Sequence, residues 1–368
     1  MKIEPFKLER YFAQHEFSAP YLLSSSDCEP MSLKEMLSLA DGGSLKLWNL
    51  LNLGYTESQG HPVLREEIAK LYQGISADKI IVMAPEEGIF IAMNVLLEKG
   101  DEVITMFPGY QSLYEVAQSM GCIVKKWEPV FEGNWKFQIS DLEKIITSRT
   151  KMLVINFPHN PTGATITSEE QEQVMELAKK NNVILFSDEM YKFLEYEEKD
   201  RLNTLSEQYE NSITLFGMSK SFALAGLRIG WLVTQNHDWI EQFIKFKDYT
   251  TICNSATSEI LAIIGLRSKD SILKRNLEII RYNLNELEIF FREYENYFDW
   301  YKPKAGPIAF PKLKMKGDVS AFCKNLVEQK GVMLLPAEVY NFPVNHFRIG
   351  FARKSLPEAL NKFREYLG

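Results

Sequence analysis

Cysteine is scarce in this chain and poorly placed for ligation. Its four cysteines, Cys28, Cys122, Cys253 and Cys323, include no CxxC pair. Each sits near apolar neighbours, which favours buried reduced thiols over disulfides or zinc. Five histidines (His15, His61, His159, His237, His346) also lack metal-ligand spacing, so no structural metal is expected. No apolar run is long enough to span a bilayer. The net charge of -7 is spread along the chain without a basic stripe, which argues against nucleic acid as a partner. The opening "MKIEPFKLERYF" shows no apolar stretch with a small-residue cleavage site, and a cytoplasmic address is expected. Repeats and low-complexity tracts are missing too. What is left, with 45% hydrophobic and 25% charged residues, is ordinary globular composition, and 368 residues favour one large domain with a smaller companion.

From about Lys79 to Val233 short apolar runs alternate with amphipathic stretches. The runs are "KIIVM", "EVITM", "CIVKKW", "KMLVINF", "NVILFSDE", "SITLFG" and "RIGWLV"; between them lie helix-like segments such as "EEGIFIAMNVLLEKG", "SLYEVAQSMG" and "SEEQEQVMELAKKNN". Near-continuous apolar strands separated by helices imply an α/β fold, a mostly parallel sheet of seven strands covered on both faces. The last two runs are joined only by the loop around Lys220 and need not obey the crossover rule. Capping boxes are expected at Ser140 with Glu143 and at Ser168 with Gln171. Beyond Val233 the pattern turns to helices, one long and amphipathic from about Ser271 to Tyr297, and then to "PIAFPKL", "GVMLLP" and "HFRIGFA". The expected division is a large domain over 41–255 and a small α+β domain from 1–40 plus 256–368. The N-terminal segment, with "SAPYLLSSSD", packs on the latter.

Open α/β sheets bind ligands outside the carboxyl ends of their strands, so polar residues ending each strand are the candidates. "VINF" runs into Asn160-Pro161-Thr162-Gly163, "VILF" into Ser187-Asp188-Glu189 and Tyr191, "ITLF" into Ser219-Lys220, and "EVITM" into "FPGYQSLY" with Tyr110. Such a set suits a pyridine aldehyde. A partly desolvated lysine is nucleophilic toward the aldehyde, and an aspartate at the ring nitrogen makes the ring an electron sink. Asn160 and Tyr191 can bond a ring hydroxyl, Tyr110 can stack on the ring, and Arg228 offers the planar fork that pairs a phosphate. Each has a plainer alternative: a solvated loop lysine, a helix-capping Asp188, packing tyrosines.

These residues resemble those of the class I/II aminotransferases of fold type I, which use pyridoxal 5'-phosphate. The matching motifs are "YTESQGHPVLREEIA", "FPGYQSLY", "NFPHNPTG", "SDEMY", "SKSFALAGLRIGW" and "FRIGFA", in the family's order over most of the chain. The resemblance implies that Lys220 carries the cofactor and moves the substrate proton, with Asp188 at the pyridine nitrogen, Tyr191 and Asn160 at the ring hydroxyl, and Tyr110 on the ring face. It places Ser219 and Arg228 at the phosphate, with Tyr55 arriving from the second subunit of a homodimer, and Arg348 on the substrate carboxylate. Two departures stand out: Ala84-Pro85-Glu86-Glu87 replaces a Gly-Ala/Ser-Thr/Ser turn, and Gly217 replaces a serine or threonine. Pro85 has no amide hydrogen and an inward Glu86 carboxylate would repel a phosphate, so Glu86 is expected to turn away and the Glu86 and Glu87 amides to serve the phosphate.

The implied activity is transfer of an amino group from an L-amino acid to a 2-oxo acid, by a ping-pong mechanism. A lyase or oxidase of the same fold and a non-catalytic sensor of PLP or an amino acid are the alternatives. The aromatic candidates Tyr11, Phe12, Tyr21, Tyr110 and Phe157 suggest an aromatic, methionine or other apolar substrate, and Tyr249, Thr250 and Thr251 are further candidates for side-chain contacts.

Overall fold

A computed structural model describes residues 2–368. All seven apolar runs form strands of one sheet: β1 (Ile80–Met83), β2 (Glu102–Met106), β3 (Ile123–Trp127), β4 (Thr150–Asn156), β5 (Ile184–Asp188), β6 (Ser212–Gly217) and β7 (Gly230–Val233), in spatial order β1-β7-β6-β5-β4-β2-β3. Strands β2 to β6 pair in parallel, whereas β7 runs antiparallel to both β6 and β1. The loop around Lys220 holds only the 3-10 turn Ala225–Leu227 and no crossover helix, which suits this antiparallel return.

Alternation along the strands supplies two faces. Ile81, Met83, Val154, Phe186 and Leu215 bury on one side with Ile89 and Ile91 of the helix Pro85–Leu96 and Phe243 of the helix His237–Lys247. Ile104, Leu153, Ile155 and Leu185 bury on the other with Val174 and Ala178 of the helix Ser168–Asn181, while Val82, Phe216 and Trp231 meet Leu64 and Ile68. Both expected capping boxes are corrected. The box at the helix Ser168–Asn181 is Thr167 with Glu170, one residue upstream, and Gln171 instead donates to the Asn203 carbonyl at 2.8 Å. The helix Ile139–Ile145 starts after Gln138 without a side-chain cap, so Ser140 and Glu143 lie inside it. There the entry is set by packing: Ile139 and Leu142 join the apolar cluster beneath β4.

The smaller layer holds a three-stranded sheet, with Phe347–Gly350 between Leu335–Pro336 and Ile308–Ala309, flanked by the helices Val319–Lys330 and Leu356–Leu367. The helix Ala256–Arg267 packs its Ile260, Ile263 and Ile264 with the sheet residues Phe216 and Trp231, together with Met36. The long helix Lys269–Glu293 starts in that cluster at Ile272 and ends in the small-domain core at Ile280, Leu284 and Leu287. On this packing we propose that the domain division falls inside the long helix. Leu23 and Cys28 belong to the small-domain core, and Tyr21 bridges to Val332. Among the described residues no helix is long and apolar enough to cross a membrane.

Candidate active site

At the carboxyl ends of β4, β5 and β6, a cavity of about 350 Å³ gathers Tyr110, Asn156, Asn160, Asp188, Tyr191, Ser219, Lys220, Arg228 and Arg348 from one side and Glu9, Phe12, Glu16, Ser26 and Asp27 from the other. The large sheet's strand ends and the loops leaving them supply the first set except Arg348, which comes from the small sheet; backbone pairing stops at those ends and leaves side chains facing outward. The N-terminal helix Lys7–His15 and the following strap supply the second.

Lys220 projects from the β6–β7 loop, and its Nζ donates to Ser26 Oγ at 2.9 Å. Burial lowers its pKa, since a desolvated ammonium loses its proton more readily; Asp27 opposes the shift and Arg348 adds to it. Asp188 ends β5 with one carboxylate oxygen accepting from the Met190 amide at 3.0 Å. It therefore does cap a turn, the plainer alternative, but with only one oxygen. Burial pushes its pKa up to about 7, against the Met190 hydrogen bond and the Lys220 charge. The Asn156 side-chain Nδ2 donates to the Asp188 carbonyl at 2.9 Å, and Asn156 Oδ1 accepts from the Asn160 backbone amide at 2.8 Å, so β4 and β5 are locked where the site begins.

Arg348, on the central strand of the small sheet, is 1% exposed. Nη1 donates to Asn160 Oδ1 at 3.1 Å and Nη2 to the Ser24 carbonyl at 2.6 Å, while Nε has no partner. A buried guanidinium bonded only to neutral oxygens is a cation lacking its anion. Tyr191 is buried beside Ser26, and burial drives its hydroxyl pKa far upward.

The two departures at the helix Pro85–Leu96 prove to be one packing solution. A Cβ on Gly217 would lie 2.8 Å from Gly230 Cα and 3.3 Å from Pro85 Cγ, and one on Gly230 would lie 2.7 Å from the same Pro85 atom. The backbone of β7 thus crowds position 217 first, with Pro85 behind it, and the proline ring fills the space a side chain at 230 would need. Helix bonding begins with the Gly88 amide on the Ala84 carbonyl, which leaves the Glu86 and Glu87 amides outside the ladder. Glu86 does not turn away into solvent. Its carboxylate stays at the cavity wall, held by Ser112 Oγ and the Tyr110 hydroxyl, and burial raises its pKa. Glu87 points elsewhere, accepting from Thr250 and from Thr251 Oγ1, the latter at 2.8 Å. Arg228 adopts a left-handed backbone with φ 54°, its exposed side chain at the cavity rim donating to the Ala225 carbonyl at 3.3 Å.

Aminotransferase class I and II is the family whose model matches residues 49–363. The chain belongs to this family. Capreomycidine synthase of Streptomyces vinaceus is 27% identical over 98% of this chain and 93% of its own length. An aspartate aminotransferase of Thermotoga maritima is 29% identical over 85% of this chain and 83% of its own. A crystal structure of a PLP-dependent aminotransferase from Streptococcus suis superposes with a TM-score of 0.93 at 28% identity, covering 100% of this chain and 98% of that one. The fold is accordingly that of the fold type I PLP-dependent transferases, and pyridoxal 5'-phosphate is the cofactor of this aminotransferase.

The residues fit that cofactor: a buried amine for its aldehyde and a buried carboxyl with a spare oxygen for its ring nitrogen stand in one cavity. Of the residues expected at the site, Tyr55 lies outside the aminotransferase cavity and is 91% exposed. Three of the five aromatic candidates are elsewhere too: Tyr21 donates to Glu358, Phe157 packs on Trp127 and Phe137, and Tyr11 joins a separate cluster. Conversely Glu9, Glu16, Ser26, Asp27 and Asn156 line the cavity without having been singled out. The only pointer to the strap was three consecutive serines, Ser24 to Ser26, all of which bury.

Proposed function

We propose that this enzyme transfers an amino group from an L-amino acid to a 2-oxo acid in two half-reactions at Lys220. The observation that carries the reading is the meeting, in one buried cavity, of an amine of lowered pKa, an aspartate with a free oxygen and an arginine without an anion. When bound, pyridoxal phosphate supplies an aldehyde for the amino group and a ring that withdraws electrons from the substrate α-carbon. Asp188 holds the ring nitrogen protonated, Asn160 and Tyr191 hold the ring hydroxyl, and Tyr110 covers the ring face. The Glu86 and Glu87 amides, Ser219 and Arg228 hold the phosphate, aided by the positive end of the helix Pro85–Leu96. Arg348 would clamp the substrate carboxylate and so orient the Cα–H bond toward Lys220, whose amine would take the α-proton and serve as its carrier. Tyr55 of a second copy completes the phosphate site, which makes the working unit a homodimer.

A second reading keeps the same residues but ends in elimination or ring closure. What supports it is the likeness to a protein named capreomycidine synthase, 27% identical over 98% of the chain. Borohydride reduction followed by peptide mapping should label Lys220. A donor screen with product identification then separates the readings: an oxo acid formed mole for mole with the aminated cofactor supports transfer, and ammonia or a cyclised amino acid supports the second. Absence of label at Lys220 would defeat both.

A further inference from the structure

We infer that the amino acid substrate ends its side chain in a positive charge, which Glu9 and Glu16 receive. The inference rests on the reading of the Lys220 cavity as an aminotransferase site and names the substrate class it takes. Five carboxylates line the cavity, Glu9, Glu16, Asp27, Glu86 and Asp188, against three cations, Lys220, Arg228 and Arg348. Most have partners. Asp188 serves the ring nitrogen, Glu86 is held by Ser112 and Tyr110, and Asp27 accepts from Arg353 at 2.9 and 3.0 Å. Among the described residues, the carboxylates of Glu9, exposed to solvent, and of Glu16, half-buried, line the cavity but accept no hydrogen bond and join no ion pair. Partial burial raises the Glu16 pKa, and the like charges of Glu9 and Asp27 add to the rise, against the pull of Arg353 and Lys220. Glu9 shares the cavity lining with Glu86 and Tyr110, and its charge adds to the upward pKa shift that burial gives both.

Arg348 gives the independent sign that the ligand is dipolar. It is 1% exposed, its Nε is unpartnered, and its other nitrogens bond only neutral oxygens, so the cavity calls for an anion there as well as a cation beside the acids. Glu9, Phe12 and Glu16 follow helical spacing and share the cavity-facing side of the N-terminal helix, with Leu8 beside them. An aliphatic stem against Leu8 and Phe12, ending in an ammonium or guanidinium, matches that order of apolar and acidic groups. A neutral apolar side chain leaves both acids repelling each other, and an acidic side chain adds a further like charge.

Binding is measured by calorimetry on the full-length PLP enzyme after borohydride has fixed the cofactor, with L-lysine, L-arginine, L-norleucine, L-phenylalanine and L-aspartate as probes. Lysine or arginine should bind about tenfold more tightly than norleucine, the neutral counterpart of lysine, and the ratio should fall toward one in the E9Q/E16Q double variant. Norleucine, phenylalanine or aspartate binding as tightly as lysine in the wild type would overturn the inference, whether or not the variant folds. A preference for lysine that survives E9Q/E16Q would overturn the role of the two glutamates. The proposed reaction is judged separately, by whether the unreduced enzyme converts any donor to its oxo acid.

Discussion

Asp188 is defined by the partner it lacks. Its carboxyl pKa, about 7 in the fold against 3.8 when free, means that ionising it inside the protein costs stability. The sign follows directly: the stability associated with the protonated form is fully present below about pH 4 and is lost as pH rises through about 7. In the site proposed above, a protonated cofactor ring nitrogen would pair the carboxylate and remove the loss. Thermal unfolding of the cofactor-free protein should therefore fall between pH 4 and 8 more steeply in wild type than in Asp188→Asn, and cofactor loading should stabilise wild type more than the variant at pH 8. Equal pH profiles for the two cofactor-free proteins would show that Asp188 is not the titrating group. Arg348 makes the complementary prediction. Truncating a buried charge that meets a carboxylate costs binding heavily, so Arg348→Gln should lower kcat/KM for the amino donor about a hundredfold, mainly through KM, while the cofactor's absorbance stays.

The elements differ in how much of them can be read before folding. Strands were legible because each is a short apolar run bounded by polar residues, and the site residues at their ends, Asn160, Asp188 and Lys220, followed from the rule that ligands sit at carboxyl edges. Helix starts were less legible. Thr167 and Ser168 are adjacent hydroxyls equally able to cap, and tertiary packing of Ile139 set the start of its helix. The strap was illegible, since Ser24 to Asp27 have no period and are placed by contacts hundreds of residues away. One such contact is the Gly350 amide on the Leu23 carbonyl at 2.6 Å. A Cβ at Gly350 would lie 1.8 Å from the Ser25 carbonyl oxygen, so only glycine lets strap and strand approach this closely. Gly350→Ala should displace the strap, lower the melting temperature by several degrees, at about 1–3 kcal/mol, and weaken substrate binding through Ser26 and Asp27. Unchanged stability and substrate affinity in this variant would mean that the strap has no fixed seat.

At the scale of the whole molecule, two loops stand out for what they expose. Leu53 and Tyr55 are 86% and 91% exposed and Tyr249 is 92% exposed, with Leu50 and Ile252 also open to solvent. Yet these loops are not loose. Lys247 is buried between them, its Nζ donating to the Ser58 carbonyl at 2.9 Å and the Ile252 carbonyl at 3.3 Å. Ser58 Oγ reaches Asp248 Oδ1 at 3.1 Å, and Thr56 Oγ1 reaches the Asn254 carbonyl at 3.3 Å. Spending a buried cation to fix an exposed apolar surface makes sense where that surface is covered by a second copy, the homodimer we propose. Leu53→Asp should then shift the sedimenting species from a dimer toward the 42.5 kDa monomer and release cofactor in proportion. Tyr55→Phe should keep the dimer and weaken cofactor binding about tenfold, the loss of one hydrogen bond to a charged group. The two variants separate assembly from phosphate contact, because only the first changes mass. A wild-type protein that sediments as a monomer while retaining full cofactor would place both Tyr55 and the proposed dimer outside the chemistry.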